Sequence, residues 1–318
     1  YFEKPMNRTV PALGFCLAIT FGLLLSALSN TAYAKVLHEE RSVYTRIIVE
    51  DSNRLRCLKF TLKREDSTQT CINLNYPKRM VFSYTQMSMA SLLLNPNPAS
   101  VLIVGLGGGT LPMALRDLLP SARIDTVEID EAVVRVAKEY FGYQEDDYNR
   151  AIIQDARVYG KRSALRGLTY DLIVLDAFNG EYIPEHLMTV EFLQEMRALL
   201  SDDGVLVANT FASSQLYDFE SATYAAVFGD FLNFRGSSTG NRVILVPQAK
   251  LPADQRDALD SQTLRTRAAA LQDGLTPYGV PITKYARTLA ALSKKKPDWD
   301  ATARPLTDQF SPANVLSQ

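Results

Sequence analysis

Apolar and polar positions change period several times along this chain, and each change marks an element. Between residues 42 and 75 they alternate. Tyr44-Thr-Arg-Ile-Ile-Val-Glu50 and Arg54-Leu-Arg-Cys-Leu-Lys-Phe-Thr61 flank the turn signal Asp51-Ser-Asn53, and Thr68 to Leu74 follows the polar Lys63-Arg-Glu-Asp66. Alternation rich in β-branched residues predicts a meander of about three strands. So thin a sheet is expected to lean on its neighbour, as a lid or a subunit contact. From Tyr84 to Leu94 the spacing turns helical, with Met87, Met89, Ala90, Leu93 and Leu94 as core positions, and Asn95-Pro-Asn-Pro98 ends it.

From Ser100 onward short apolar runs alternate with helical stretches. Val101 to Val104, Ile124 to Ile129, Ala151 to Asp155, Tyr170 to Asp176 and Gly204 to Asn209 read as strands. Leu111 to Leu119, Glu131 to Tyr140 and Thr189 to Leu200 read as helices. The unbroken apolar centre of Tyr170-Asp-Leu-Ile-Val-Leu-Asp176 suits a strand covered on both faces. Phe231 to Arg235 and Asn241 to Val246, on either side of Gly236-Ser-Ser-Thr-Gly240, predict a closing antiparallel hairpin. The expected fold class is α/β: a doubly wound, Rossmann-like sheet preceded by a small antiparallel β domain. The tail predicts polar helices over Asp254 to Leu271 and Thr283 to Leu292, with Lys294-Lys-Lys296 as a solvated helix end.

The run from Val10 to Leu28 has no polar face. Arg8 precedes it and Thr31-Ala-Tyr-Ala34 follows, the order of a secretory signal peptide. About 19 largely apolar residues would also serve as an uncleaved anchor, a membrane tether through residues 10–28. Tyr1 to Pro5 read as an added tail before a native start at Met6. The expected organisation is residues 1–34 as leader or anchor, 35–80 as β domain, 81–250 as catalytic domain and 251–318 as helical extension. The expected location is exported or membrane-anchored on the periplasmic side, with a cytoplasmic location as the alternative. Beyond Cys16 in the apolar run, the chain keeps Cys57 and Cys71, placed evenly about the Lys63 to Asp66 turn. An even count in an exported chain predicts a disulfide between them.

A net charge of −1 implies no bulk attraction to nucleic acid or to an anionic membrane surface. Two histidines and three cysteines, with no Cys-x-x-Cys or His-x-x-x-His pair, leave no expected metal site. The candidate chemistry lies at the predicted strand ends. Val101 to Val104 runs into Gly105-Leu-Gly107-Gly-Gly109-Thr110, a strand, tight turn and helix start over which a backbone can approach a ligand closely. Glu128 stands about 23 residues after Gly105, near the spacing of an acid that grips a ribose. Asp130, Asp155 with Ala156, and Asp176 close the following strands. Glu128 would hold a ribose diol, Asp155 the amino edge of an adenine, and Asp176 the reacting centre. Asp130 and Asp155 are equally placed to cap the helices that follow them.

These residues together resemble the spermidine/spermine synthase family, aminopropyltransferases on an S-adenosylmethionine methyltransferase-type fold. The matching stretches are Ser42-Val-Tyr-Thr-Arg-Ile-Ile-Val49, Tyr84-Thr-Gln-Met87, the glycine turn, Val127-Glu-Ile-Asp130, Gln154-Asp-Ala156, Tyr170 to Asp176, and Leu306-Thr-Asp-Gln-Phe-Ser-Pro312. The resemblance implies Asp176 and Tyr84 as catalytic residues. It implies Gly105, Gly107, Gly109, Glu128, Asp130, Asp155 and Ala156 around the nucleoside, and Gln86, Asn179 and Glu181 around the acceptor. It also implies a homodimer. Where the family's turn usually carries an aspartate, this chain has Gly108. Its catalytic loop reads Asp176-Ala-Phe-Asn179, with an amide for the second acid, and Gln86 and Thr45 replace a glutamate and a glutamine. Glu181, Glu185 and Asp218 either compensate for the lost acids or are surface charges.

The expected activity is aminopropyl transfer to a small-molecule amine. The co-substrate is decarboxylated S-adenosylmethionine or S-adenosylmethionine itself, and no cofactor is held permanently. Rival readings are an S-adenosylmethionine-dependent methyltransferase and a non-catalytic nucleoside- or polyamine-binding protein.

Overall fold

The computed structural model describes residues 1, 34–62, 65–178, 183–211, 216–236, 240–256 and 259–312. The apolar run over 10–28, and with it the signal or anchor expectation, lies outside the described residues. Among the described residues no helix is long and apolar enough to cross a membrane.

The amino-terminal sheet has four antiparallel strands in sequence order: β1 (Lys35–Arg41), β2 (Arg46–Ser52), β3 (Leu55–Leu62) and β4 (Glu65–Asn73). β1 is one strand more than the pattern predicts. Its Lys-Val-Leu-His-Glu-Glu-Arg sequence shows no alternation, because a largely exposed edge strand has no face to bury. Asn53 and Arg54 both take positive φ, 50° and 65°, between the paired Ser52 and Leu55. Positive φ at both central residues makes a two-residue turn whose twist matches its strands. The inner face of the sheet, Ile47, Val49, Leu58 and Phe60, packs on Ala132, Val133, Val136 and Phe141 of the helix Glu131–Phe141. The thin sheet thus completes its core on the neighbouring unit.

Cys57 and Cys71 stand opposite each other on β3 and β4 and form a disulfide. Cutting it by Cys57→Ser with Cys71→Ser is expected to lower the unfolding free energy by up to about 3 kcal/mol, the chain-entropy value for a loop of this length. The check is the denaturant midpoint of protein whose free thiols have been counted by mass. An unchanged midpoint contradicts the prediction.

The second sheet has seven strands in the order β10-β11-β9-β8-β5-β6-β7. β5 (Ser100–Val104), β6 (Arg123–Glu128), β7 (Asn149–Ile153), β8 (Tyr170–Leu175) and β9 (Leu200–Phe211) are parallel. β10 (Leu232–Arg235) and β11 (Asn241–Val246) form the expected antiparallel closing pair. Alternate residues serve opposite faces. Val101, Ile103, Leu172, Val174, Val205 and Val207 enter one core, and Leu102, Val104, Ile173, Leu175, Leu206 and Ala208 the other. The first core also takes Leu264, Ala268, Leu275, Ile282, Tyr285 and Leu289 from the tail helices Ser261–Leu275 and Ile282–Leu292. The tail therefore builds one wall of the molecule.

Two helices of this unit carry no clear apolar period: Ala156–Leu165 and Leu216–Phe228. The second buries Glu220, Ser221 and Thr223 among its apolar residues. The reason is Arg242 on β11, fully buried. Its guanidinium donates to Thr210 Oγ1, Ser221 Oγ, Asn233 Oδ1, the Tyr217 carbonyl and Glu220. A buried cation requires polar neighbours, and supplying them erases the apolar pattern.

Candidate active site

The chain enters the large sheet at β5, winds outward through β6 and β7, then crosses back to β8 on the other side. The crevice of such a sheet opens where the order reverses, beyond the carboxyl ends of β5 and β8. A cavity of about 660 Å³ lies there. Its wall includes Gly105, Gly107, Glu128, Asp130, Asp155, Ala156, Asp176 and Tyr84 from the predicted set.

Two turns of local chemistry shape the crevice. Gly105 has φ +98°, and a Cβ there would stand 2.4 Å from the Asp176 carbonyl oxygen. The missing side chain is what lets the end of β5 lie against the end of β8, with the Asp176 amide donating to the Val104 carbonyl at 2.8 Å. Glu128 then closes the turn from the other side. Its Oε2 accepts from the Leu106 amide and its Oε1 from the Asp130 amide, both at 3.0 Å. Burial nevertheless pushes the Glu128 carboxyl above its usual value, more than those amides pull it down.

Asp176 is strongly perturbed. Burial raises its carboxyl to about 7, against hydrogen bonds from Asn209 and Tyr84 that act the other way. Asn209 Nδ2 donates to Asp176 Oδ1 at 2.8 Å, and Asn241 Nδ2 donates to Asn209 Oδ1 at 3.1 Å. The amides hold one edge of the carboxylate in place. Burial, and then the charge of Asp176, push the Tyr84 phenol well above its usual value, so it stays protonated and donates. A carboxylate poised near neutrality, oriented by neutral donors, can accept a proton at physiological pH.

Asp130 and Asp155 both cap helices. Asp130 Oδ1 accepts from the Ala132 amide and Asp155 Oδ1 from the Val158 amide. Their second oxygens differ. Asp130 Oδ2 is buried with no hydrogen-bond partner, and Asp155 Oδ2 lies 3.0 Å from His186 Nε2 at the cavity rim. Gly109 and Gln86 are not among the wall residues. A Cβ at Gly109 would meet Tyr143 at 2.8 Å, so its glycine answers to packing, and Gln86 Nε2 donates to the Met80 carbonyl. Asn179 and Glu181 lie outside the described residues. Asp218 accepts from the Asp300 amide and is not on the wall.

Asn209, Asn241, His186, Phe82 and Ser67 to Thr70 line the cavity without having been singled out in the sequence. Asn209 had a faint signal, as the polar end of the strand next to the one that ends in Asp176.

With this geometry in view, comparison with known proteins agrees. The spermine/spermidine synthase domain matches residues 81–234. A polyamine aminopropyltransferase of Vibrio vulnificus is 47% identical over 304 residues, covering 94% of this chain and 98% of the relative. Two solved structures share the fold: a probable spermidine synthase from Corynebacterium glutamicum (TM-score 0.58, 20% identity, 84% of this chain and 98% of that one) and the spermidine synthase from Thermotoga maritima (TM-score 0.54, 21% identity, 81% and 88%). An α/β fold of this topology, a glycine turn facing a half-buried aspartate, and near end-to-end similarity place the chain in the spermine/spermidine synthase family.

Proposed function

We propose that this protein transfers an aminopropyl group from decarboxylated S-adenosylmethionine to a polyamine acceptor. The observation that carries the reading is Asp176: a carboxylate raised to about 7 at the switch point, between the glycine turn and two amides that orient it. Glu128 would accept from the ribose hydroxyls and Asp155 Oδ2, which also faces His186, from the adenine amino group, with Asp130 Oδ2 as a further acceptor. The acceptor amine, an ammonium in water with pKa near ~10.4, must give up a proton to react. Asp176 takes that proton while the amine lone pair attacks the methylene carbon next to the sulfonium. The new C–N bond forms as the C–S bond breaks, and its electron pair stays on sulfur, leaving neutral methylthioadenosine. Holding both reactants in line over the turn supplies much of the acceleration.

The charge of the wall favours the decarboxylated donor. Among the described wall residues are Glu128, Asp130, Asp155 and Asp176, and no lysine or arginine. Intact S-adenosylmethionine would bring a carboxylate into this acidic crevice without a cationic partner, which is costly. The decarboxylated donor brings only positive charge, complementary to the wall. Calorimetry with both donors tests this: tighter binding of the decarboxylated one is expected, and tighter binding of the intact one contradicts it. The expected homodimer is tested by light scattering. The expected export or anchoring through residues 10–28 is tested by fractionation with an amino-terminal mass measurement.

A further inference from the structure

β5 stands between β6 and β8, so a ligand reaching from Glu128 to Asp176 must cross the glycine turn at the end of β5. Thr70 stands over that crossing, brought in from the other sheet. β4 supplies the consecutive wall residues Ser67 to Thr70. A regular strand would offer only alternate residues to one side. Here Leu58 pairs with Thr70 but Lys59 pairs with Thr68, so Gln69 is an extra residue. A bulge of this kind re-aims neighbouring side chains, and bulges recur beside functional sites. Cys71, two residues on, is tied to Cys57, which pins the bulge to the adjacent strand.

Thr70 is 6% exposed, and its Oγ1 lies 3.3 Å from Oγ1 of Thr110, the first residue of the helix that follows the glycine turn. One hydrogen serves that contact. The second hydroxyl hydrogen and the remaining lone pairs are left for a ligand. Thr70 also decides what position 108 can carry. Gly108 has no positive φ, so its conformation is open to any residue. A Cβ there would stand 2.5 Å from Thr70 Cγ2 and 3.1 Å from the Phe141 ring. Space keeps position 108 bare, and Thr70 fills that space.

We propose that Thr70 is a specificity-determining residue of this enzyme. With Thr110 it receives the ammonium-bearing side chain of the donor, and by excluding a side chain at position 108 it keeps this part of the wall neutral. The inference rests on the donor assignment above, and a ligand pair separates the two. Methylthioadenosine has the nucleoside but not the ammonium-bearing chain.

The experiment is calorimetric binding of decarboxylated S-adenosylmethionine and of methylthioadenosine to the whole protein. Thr70→Val removes the hydroxyl at nearly constant shape. It is expected to weaken the donor about ten- to a hundredfold, the scale of one hydrogen bond to a charged group, and to leave methylthioadenosine within about twofold. Thr70→Ser keeps the hydroxyl and is expected to bind the donor like the wild type. Gly108→Ala is expected to lose donor affinity, and to regain it in the Thr70→Ser background, where Cγ2 is gone. Equal weakening of both ligands in Thr70→Val, or no weakening of the donor, overturns the role of Thr70. A wild-type protein that binds neither ligand overturns the proposed function and this inference with it.

Discussion

Asp176→Asn is expected to lower turnover by about 10²–10⁴-fold, the usual worth of a positioned general base, while methylthioadenosine binding stays within a few-fold. The amide keeps the size of the carboxylate but cannot take the amine's proton. The pH profile gives a second readout. With a carboxyl near 7, the wild-type kcat/KM is expected to rise as pH passes through about 7, where Asp176 becomes able to accept a proton. That limb should vanish in the variant. Stability separates lost catalysis from lost folding. A carboxyl whose folded value lies above its unfolded value favours the neutral form. The native state is therefore penalised as pH rises from the unfolded value, ~3.9, to the folded one. The neutral amide escapes this penalty, so the variant's midpoint at pH 8 should not fall below the wild type's. Undiminished turnover would remove Asp176 from the mechanism.

Glu128→Gln is expected to weaken methylthioadenosine binding by about 1–3 kcal/mol, as for a charged acceptor lost from a buried contact. The structure gives the substitution two routes to the same effect. The carboxylate is proposed to hold the ribose, and it also accepts from the Leu106 and Asp130 amides, which fixes the glycine turn beneath the ligand. A glutamine can keep only one of those oxygens, since its amide nitrogen is a donor facing a donor. An unchanged dissociation constant by calorimetry would show that the nucleoside lies elsewhere.

Which parts of this site could be read from the sequence follows from where their constraints lie. The glycine turn and the acids after it were legible because each is a local event: a strand stops, a glycine bends the chain, a carboxylate follows. Asn209 and Thr70 were not legible, because neither has a local reason to be polar. Asn209 matters through its contact with Asp176 on the next strand, and Thr70 through its contact with Thr110, 40 residues further on, and its place over Gly108. The helix Leu216–Phe228 shows the same limit from the other side. Its polar residues answer to Arg242, which comes later in the chain. The disulfide was legible from the even spacing of its cysteines about a turn. That arithmetic met its target only with the help of the bulge. Leu62 pairs with Glu65 at the hairpin end, and the extra residue at Gln69 shifts the register by one, bringing Cys71 opposite Cys57.

The aminopropyl transfer itself is tested most directly by incubating purified protein with a diamine and either donor, and identifying the nucleoside released. The account predicts methylthioadenosine from decarboxylated S-adenosylmethionine, formed in step with an aminopropylated amine, and no S-adenosylhomocysteine from the intact donor. S-adenosylhomocysteine as the product, or no turnover of either donor, would contradict it.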